Sequence, residues 1–354
     1  MLKGRFGLAT FACVGLAIAI STPASAWERG TANTFALIPS GFPMVEGLTV
    51  DSNGNVYTPT FNPTASSGPS QLFTFGQDGT LKNSVRIKGS SPAMLGLAFR
   101  PGTNELLVID FGAGQVLSVN PSNGNAAPCI TLPQGTPSPG LNALTFDAAG
   151  NIYVSDSFNG TIWRFSPQAS RTGCGVASAW VQGDPLLVPG NGVPGFGANG
   201  IEFNNDQSAM FVCNTAMDWI VKIPVSGGNP GPTSVFTNSI NGCDGIAIDG
   251  SNNIWAAANQ ADEIVVVDST GKAISKLGDF NGLSGGSSGV TKGLLFPASP
   301  AFSPDRQTLY VTNLELDLRT LGPNNSGPQT VDSQWAAGVT QHSIAKLQAK
   351  ILGP

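Results

Sequence analysis

One hairpin-like pattern of apolar and polar positions recurs along the chain. In the stretch from Leu141 to Asp156, an apolar strand (144–146) runs into an Asp-Ala-Ala-Gly-Asn turn, and a second apolar strand (152–154) returns to Asp156. Five further stretches repeat this phrase, starting at Glu46, Leu95, Asn199, Asp244 and Ser299. We take one residue of each phrase as its marker, and successive markers lie between 45 and 57 residues apart: Gly47, Gly96, Ala143, Gly200, Gly245 and Pro300. Short strands repeating at about this spacing predict an all-β, six-bladed β-propeller.

Outer strands follow most of these hairpins and complete the blades. Examples are 71–75 with 85–87, 220–223 with 234–236, and 263–267 with 273–277, joined by Gly-containing turns. A propeller must also close, because an open sheet edge leaves backbone groups unpaired. We therefore expect the terminal segments Thr34–Ile38 and Ser343–Leu347 to pair in the last blade.

Six blades bring six equivalent positions to the mouth of a central channel. The residue before each marker is one of them, and we call these residues the oxygen column. Four members carry a carboxylate or amide oxygen, which are hard donors that suit Ca²⁺. In chain order the column is Glu46, Leu95, Asn142, Asn199, Asp244 and Ser299. A structural coincidence is the alternative, because Asn, Asp and Glu are common before glycine in turns.

The first 26 residues are expected to be a cleaved signal peptide. Lys3 and Arg5 precede an apolar run (6–20), and Ala24-Ser25-Ala26 is an Ala-x-Ala cleavage signal before Trp27. The mature protein would then be periplasmic or secreted, with residues 27–354 forming a single propeller domain. No later apolar run is long enough to cross a bilayer. We expect a monomer.

Composition narrows the function classes. The formal net charge of −5 becomes −7 without the leader, and the sequence has no cluster of Lys and Arg, so nucleic acid is excluded as a partner. The 45 glycines and 26 prolines fit many tight turns. Three long loops, at 183–197, 280–297 and 315–341, interrupt the repeats. By position, the first two are expected to form walls of the channel mouth.

Four cysteines remain after the leader, and they could pair in three ways. Cys213 ends the second strand of the fourth hairpin and Cys243 directly precedes Asp244, so both would lie on the same rim. This favours a Cys213–Cys243 disulfide, which leaves Cys129 with Cys174. Free buried thiols are the alternative.

The four oxygen-bearing phrases resemble the gluconolactonase and regucalcin (senescence marker protein) family, to which the paraoxonases are related. The matching phrases are Val45-Glu46-Gly47, Leu141-Asn142-Ala143, Ala198-Asn199-Gly200 and Cys243-Asp244-Gly245. The resemblance implies a six-bladed propeller with Glu46, Asn142, Asn199 and Asp244 as ligands of Ca²⁺ or another divalent metal. It also implies hydrolysis of a small-molecule lactone or ester, with Asp244 as the general base.

A second set of residues ends the returning strands, and its polar side chains are candidates for orienting the ligands or contacting the substrate. The six strand-end positions are Thr60, Asp110, Asp156, Asn214, Ala258 and Asn313. The candidates are the four that are Asp or Asn, namely Asp110, Asp156, Asn214 and Asn313, to which we add Ser299 of the oxygen column. The alternative is that these residues only end strands and start turns. His342, the single histidine, is expected on the surface or beside a strand, which excludes a His–His pair.

Two other functions stay open. A non-catalytic propeller resembling NHL-repeat proteins would bind a partner protein, peptide or glycan across its rim. A propeller resembling strictosidine synthase would need a catalytic glutamate in the channel, and Glu46, Glu202, Glu263 or Glu315 could supply it. Fold alone does not separate these possibilities.

Overall fold

The computed structural model describes residues 28–167, 174–191, 195–321, 327–328 and 330–352. Its sheets form six blades in a propeller, which confirms the predicted fold class. The first strand, β1 (Asn33–Leu37), belongs to the last blade. The expected signal peptide lies outside the described residues. Within them, no helix has the length and apolar character needed to cross a bilayer.

The first five blades follow one another along the chain, each a mainly antiparallel sheet. Blade 1 holds β2 (Thr49–Val50), β3 (Val56–Pro59), β4 (Gln71–Phe75) and β5 (Leu81–Arg86); blade 2 holds β6 (Met94–Phe99), β7 (Leu106–Asp110), β8 (Gln115–Val119) and β9 (Ala126–Thr131). Blade 3 holds β10 (Leu141–Phe146), β11 (Ile152–Asp156), β12 (Thr161–Phe165) and β14 (Ser178–Val181). The short strand β13 (Gly175–Val176) lies between β12 and β14 in the sequence but pairs in parallel with β9 of blade 2. Blade 4 holds β15 (Ala198–Phe203), β16 (Ala209–Asn214), β17 (Trp219–Ser226), the short β18 (Asn229–Pro230) and β19 (Ser234–Thr237); blade 5 holds β20 (Cys243–Ile248), β21 (Ile254–Ala258), β22 (Glu263–Val267) and β23 (Ala273–Leu277).

Blade 6 joins the two ends of the described chain. It holds β26 (Pro297–Phe302), β27 (Thr308–Asn313) and β28 (Ser343–Gln348), and β1 pairs with β28 through Thr34↔Ala345 and Leu37↔Ser343. This confirms the predicted closure. The loop before blade 6 carries a two-strand ribbon, β24 (Phe280–Leu283) with β25 (Thr291–Gly293), and short helices lie at Asn259–Ala261, Leu318–Leu321 and Val331–Ala336.

Apolar side chains fill the space between neighbouring blades. For example, Tyr153 and Ile162 of blade 3 pack with Ile201 and Val212 of blade 4. Because blades cover both faces of the inner sheets, every residue of β7, β11 and β21 is buried. This explains why the inner strands show little alternation of apolar and polar residues.

The repeated turn is fixed by a side-chain lock in blades 1, 3 and 5. In blade 3, Asp147 accepts hydrogen bonds from the Asn151 amide (2.6 Å) and from the Tyr153 hydroxyl (3.1 Å). Equivalent bonds join Asp51 to Asn55 and Tyr57, and Asp249 to Asn253 and Trp255. The recurring sequence phrase therefore encodes a hairpin whose turn is tied to its own second strand.

Both predicted disulfides are present. Cys129 of β9 is joined to Cys174, and Cys213 of β16 is joined to Cys243 at the start of β20. The second bridge connects blades 4 and 5 at the residue directly before Asp244. The chain segment that carries this carboxylate is therefore covalently fixed to the neighbouring blade.

Candidate functional site

The regular backbone pairing of the innermost strands is interrupted at the oxygen column. The pairing of β10 with β11 shifts between Leu141 and Leu144, and β15 and β20 shift at the same place relative to the repeat. The column residues Asn142, Asn199 and Asp244 lie in these irregular segments, where the strand pairing is interrupted. This local feature allows their side chains to face the channel axis while the flanking apolar residues stay in the blade.

The glycines after the column residues are required by close contact between blades. A Cβ on Gly47 would lie 2.2 Å from the Leu95 carbonyl oxygen, and one on Gly200 would lie 2.4 Å from the Asp244 carbonyl oxygen. Both distances are shorter than any real Cβ contact. A side-chain hydroxyl of the second strand donates a hydrogen bond to a backbone carbonyl at this position, as in the bond from Thr58 to the Gly47 carbonyl (2.7 Å).

The four predicted ligands line one cavity of about 60 Å³ in the channel. Glu46, Asn142, Asn199 and Asp244 are each at most 5% exposed. Four separate blades therefore place two carboxylates and two carboxamides around the same small space. The structure thus brings together the residues that the sequence grouped, and their role as ligands remains a prediction.

The two carboxylates of this cavity are electrostatically unfavourable as anions. Burial raises the pKa of Glu46 well above its usual value, and the negative charge of Asp244 raises it further. Burial also raises the pKa of Asp244 to about 7, although hydrogen bonds with Asn259 and Asn199 oppose this shift. A buried pair of like charges is stabilised when a cation lies between them.

Two residues of the site were missed in the sequence. The amide of Asn259 donates a 3.1 Å hydrogen bond to Oδ2 of Asp244. Thr215 accepts a bond from the Asn199 amide (2.9 Å) and donates one to the Cys243 carbonyl (2.7 Å). Both line the cavity. Each lies one residue beyond a strand end, Thr215 after Asn214 and Asn259 after Ala258, so the sequence signal for these contacts is the residue that follows the strand.

The donor atoms fit a divalent cation. Glu46 Oε2, Asp244 Oδ1 and Asn259 Oδ1 are buried and have no hydrogen-bond partner among the residues that the structure describes. Unpaired buried oxygens are costly, and native proteins usually satisfy such atoms with hydrogen bonds or metal ions. Three such oxygens from residues that line one cavity form the kind of hard-donor set that Ca²⁺ takes.

The second set of predicted residues holds loops in place. Asp110 accepts hydrogen bonds from the backbone N–H groups of Ser91 and Ala113. Asp156 accepts hydrogen bonds from the backbone N–H of Gly140 and from the indole N–H of Trp163. Asn214 donates to the Leu186 and Val188 carbonyls, and Asn313 accepts from the Leu295 backbone. None of these four is among the described residues that line the cavity. Their bonds agree with the alternative interpretation, in which they end strands and fix turns.

Ser299 lies on a different part of the channel. It lines a larger cavity of about 420 Å³, together with the marker residues Gly96, Ala143, Gly200, Gly245 and Pro300. Its backbone N–H donates to Thr312 Oγ1 (2.9 Å). The oxygen column therefore contributes five of its six members to the smaller cavity, with Leu95 as the apolar one.

The other candidate glutamates have partners of their own. Glu202 lines the larger cavity and accepts from Thr145, and Glu263 pairs with Arg29 (2.6 Å) and Lys276 (2.7 Å). Glu315 is buried and bonds to His342 Nδ1 (2.5 Å), beside the start of β28. His342 is thus a strand flank, as expected. Glu46 is the one of the four that lines the smaller cavity.

Comparison with known proteins connects this site to a family. A family model described as the SMP-30/Gluconolactonase/LRE-like region matches residues 192–278. This confirms the predicted family resemblance. The matched segment contains two of the four proposed ligands, Asn199 and Asp244. Among curated proteins, none matches the chain.

Solved structures of that gluconolactonase-like group share the fold along most of the chain. A luciferin-regenerating enzyme superimposes with a TM-score of 0.62 at 15% identity, covering 92% of this chain and 97% of that one. Regucalcin, a calcium-binding protein from Agrobacterium tumefaciens, gives 0.61 at 16%, covering 92% and 95%. A gluconolactonase from Xanthomonas campestris gives 0.57 at 14%, covering 82% and 95%. At these identities the similarity concerns the fold.

Proposed function

We propose that the protein is a lactone or ester hydrolase that depends on a divalent cation, with calcium as the first candidate. The observation that carries the proposal is the set of three buried, unpartnered oxygens on Glu46, Asp244 and Asn259. The matching family model and the gluconolactonase-like fold support the reaction class.

Glu46, Asn142, Asn199 and Asp244 would hold the cation, with Asn259 beside them. When bound, the cation would polarise the substrate carbonyl and stabilise its developing negative charge. Thr215 orients Asn199 through its hydroxyl, and Asn259 orients Asp244 through its amide. Such supporting bonds fix ligand geometry and tune affinity.

Asp244 is the proposed general base. The Asn259 amide holds its Oδ2, so the carboxylate keeps a fixed orientation from which it would accept a proton from water. The water oxygen bonds to the carbonyl carbon, the ester C–O bond breaks, and the proton on Asp244 passes to the departing alkoxide. The products are an alcohol and a carboxylic acid, which releases its remaining proton to solvent to become a carboxylate, and the two groups remain joined when the substrate is a lactone.

The proposal can be tested with metal and with substrates. Adding Ca²⁺ to EDTA-treated protein should raise Tm, because a ligand bound by the folded state alone stabilises it. A panel of γ- and δ-lactones and aryl esters should be hydrolysed by the metal-loaded protein, and Asn142→Ala and Asp244→Ala should lose both the Tm increase and the activity. Equal turnover by Asp244→Ala would refute the assigned base.

Export is part of the same proposal. The two disulfides support it, because structural disulfides persist in oxidising compartments. Cell fractionation and N-terminal sequencing should find a periplasmic or secreted protein that begins at Trp27. The monomeric state also remains a prediction, and light scattering would test it.

A further inference from the structure

The wall above the oxygen donors is apolar. Phe61, Phe111, Phe196 and Phe296 line the cavity, together with leucines that follow β27. Among the described residues that line it, none is Lys, Arg or His. An anionic substituent would therefore find no charge partner, and a row of sugar hydroxyls would lose hydrogen bonds to water without replacement.

Three phenylalanines continue this wall towards the surface. The Phe111 ring lies 5.8 Å from Phe158 and 6.4 Å from Phe196, and Phe158 lies 5.4 Å from Phe196. These centroid distances are those of packed aromatic pairs. We call Phe111, Phe158 and Phe196 the phenylalanine cluster. They come from loops of different blades, so tertiary folding brings them together.

The cluster ends on an exposed ring. Phe158 is 41% exposed, although its neighbours Phe111 and Phe196 line the cavity. A Cβ on Gly140 would lie 2.7 Å from the Phe158 ring, so the glycine leaves the space that this ring occupies. An exposed aromatic ring that continues a cavity wall is suited to an apolar ligand group.

The size of the cavity limits what can enter it. A space of about 60 Å³ accommodates a cation and the reacting carbonyl group, but it does not accommodate an extended acyl or alkyl chain. The remainder of a larger substrate must lie outside this space. The phenylalanine cluster is the apolar surface that continues from it.

Building on the proposed function, we propose that the substrate is an uncharged lactone or ester with an apolar alkyl or aryl substituent, which lies on Phe111, Phe158 and Phe196. The carbonyl group then faces Glu46 and Asp244 at the bottom of the cavity. Sugar-acid lactones are poor substrates under this proposal, because the cluster offers their hydroxyls no hydrogen-bond partner.

The experiment measures kcat/KM of the calcium-loaded protein for γ-lactones with alkyl substituents of increasing length, and for glucono-δ-lactone. If each added methylene is buried against the cluster, kcat/KM should rise about two- to fourfold per methylene until the cluster is covered. Phe158→Ala should flatten this dependence, so that kcat/KM for the longest lactones falls towards the value for the shortest one. Phe42→Ala is the matched control, because Phe42 is also exposed (38%) but packs on Phe73 away from the cavity.

The outcomes separate the inference from the function on which it rests. Turnover without chain-length dependence, or a preference for glucono-δ-lactone, would overturn the inference and leave the hydrolase proposal standing. Absence of any turnover would overturn the hydrolase proposal. In that case the same lactones are titrated calorimetrically: affinity that rises with chain length and is lost in Phe158→Ala supports the apolar site, and length-independent or absent binding overturns it.

Discussion

The Asn259 amide holds Oδ2 of Asp244 at 3.1 Å, and within the described part of the chain Oδ1 of each residue is buried without a hydrogen-bond partner. A single hydrogen bond therefore fixes a carboxylate and positions two further oxygens, which we propose as cation donors. Asn259 acts on the carboxylate that we propose as both ligand and base. Its contribution should appear in metal affinity as well as in rate.

Asn259→Ala is expected to weaken Ca²⁺ binding about 10- to 100-fold, which is the usual cost of removing a group that orients a metal ligand. Calorimetric titration of EDTA-treated protein measures this directly. Asn151→Ala is the control, because Asn151 bonds to Asp147 in a surface turn and should lower Tm without changing the affinity. Unchanged Ca²⁺ affinity in Asn259→Ala would remove this residue from the site.

Gly200→Ala should destabilise the protein by about 1–3 kcal/mol, the usual cost of overpacking. The added Cβ would lie 2.4 Å from the carbonyl oxygen of Asp244, so the backbone that carries the ligand must move. Thermal melts should therefore show a lower Tm and a smaller increase on adding Ca²⁺.

The matched control for this glycine is Gly250→Ala. No atom lies within 4 Å of a Cβ at Gly250, so its replacement should change stability by no more than about 0.5 kcal/mol. Similar melting curves for the two alanine variants would contradict the close approach of blades 4 and 5 at the axis.

The two disulfides should differ in their effect on metal binding. They close segments of 30 and 45 residues, so chain entropy predicts similar losses of about 3–4 kcal/mol when either is removed. The Cys213→Ala/Cys243→Ala double variant should also bind Ca²⁺ more weakly, because Cys243 precedes Asp244. The Cys129→Ala/Cys174→Ala double variant serves as the control and should retain the affinity. Equal losses of affinity in both would show that the effect is one of general stability.

Asp262 should make stability depend on pH. It is buried, and burial together with the charges of Asp332, Asp279 and Glu263 raises its pKa to about 8. In the unfolded chain the pKa is about 3.9, so the folded protein binds more protons between these values. Through this group, the free energy of unfolding falls as pH rises from about 4 to about 8.

Asp262→Asn should remove this dependence while keeping an oxygen that accepts the Phe296 N–H bond (2.8 Å). The variant is expected to melt several degrees above the wild type at about pH 9 and close to it at about pH 5. Asp206→Asn is the control, because hydrogen bonds with Ser208 lower the pKa of that exposed carboxylate. A lower Tm for Asp262→Asn at about pH 9 would contradict the penalty assigned to burying the charge.

The repeat made most of the architecture predictable. Apolar strands around an Asp-to-Asn turn recur with nearly constant spacing. The hydrogen bonds of Asp147 with Asn151 and Tyr153 explain why these residue types recur in the turn. The closure of β1 on β28 followed from the need to pair sheet edges. The disulfide partners followed because equivalent positions in a ring lie on the same rim.

The polar residues that line the smaller cavity were only partly predictable from the sequence. The oxygen column could be found because each member precedes a residue that must be small or restricted at the axis. Asn259 and Thr215 were not predicted as site residues, because the candidate positions were placed one residue too early, at Ala258 and Asn214. The phenylalanine cluster could not be found at all, since its rings come from loops whose paths depend on tertiary contacts.

The pairing of the first strand with the last has a consequence for biosynthesis. A ribosome releases β1 early, yet its ladder partner β28 lies about 300 residues further along the chain, after blades 1 to 5. Blade 6 must therefore remain incomplete while those five blades are synthesised, with an open edge on β27 until β28 arrives. The ring can close only after β28 has left the ribosome, so folding of the last blade depends on contacts of very large sequence separation.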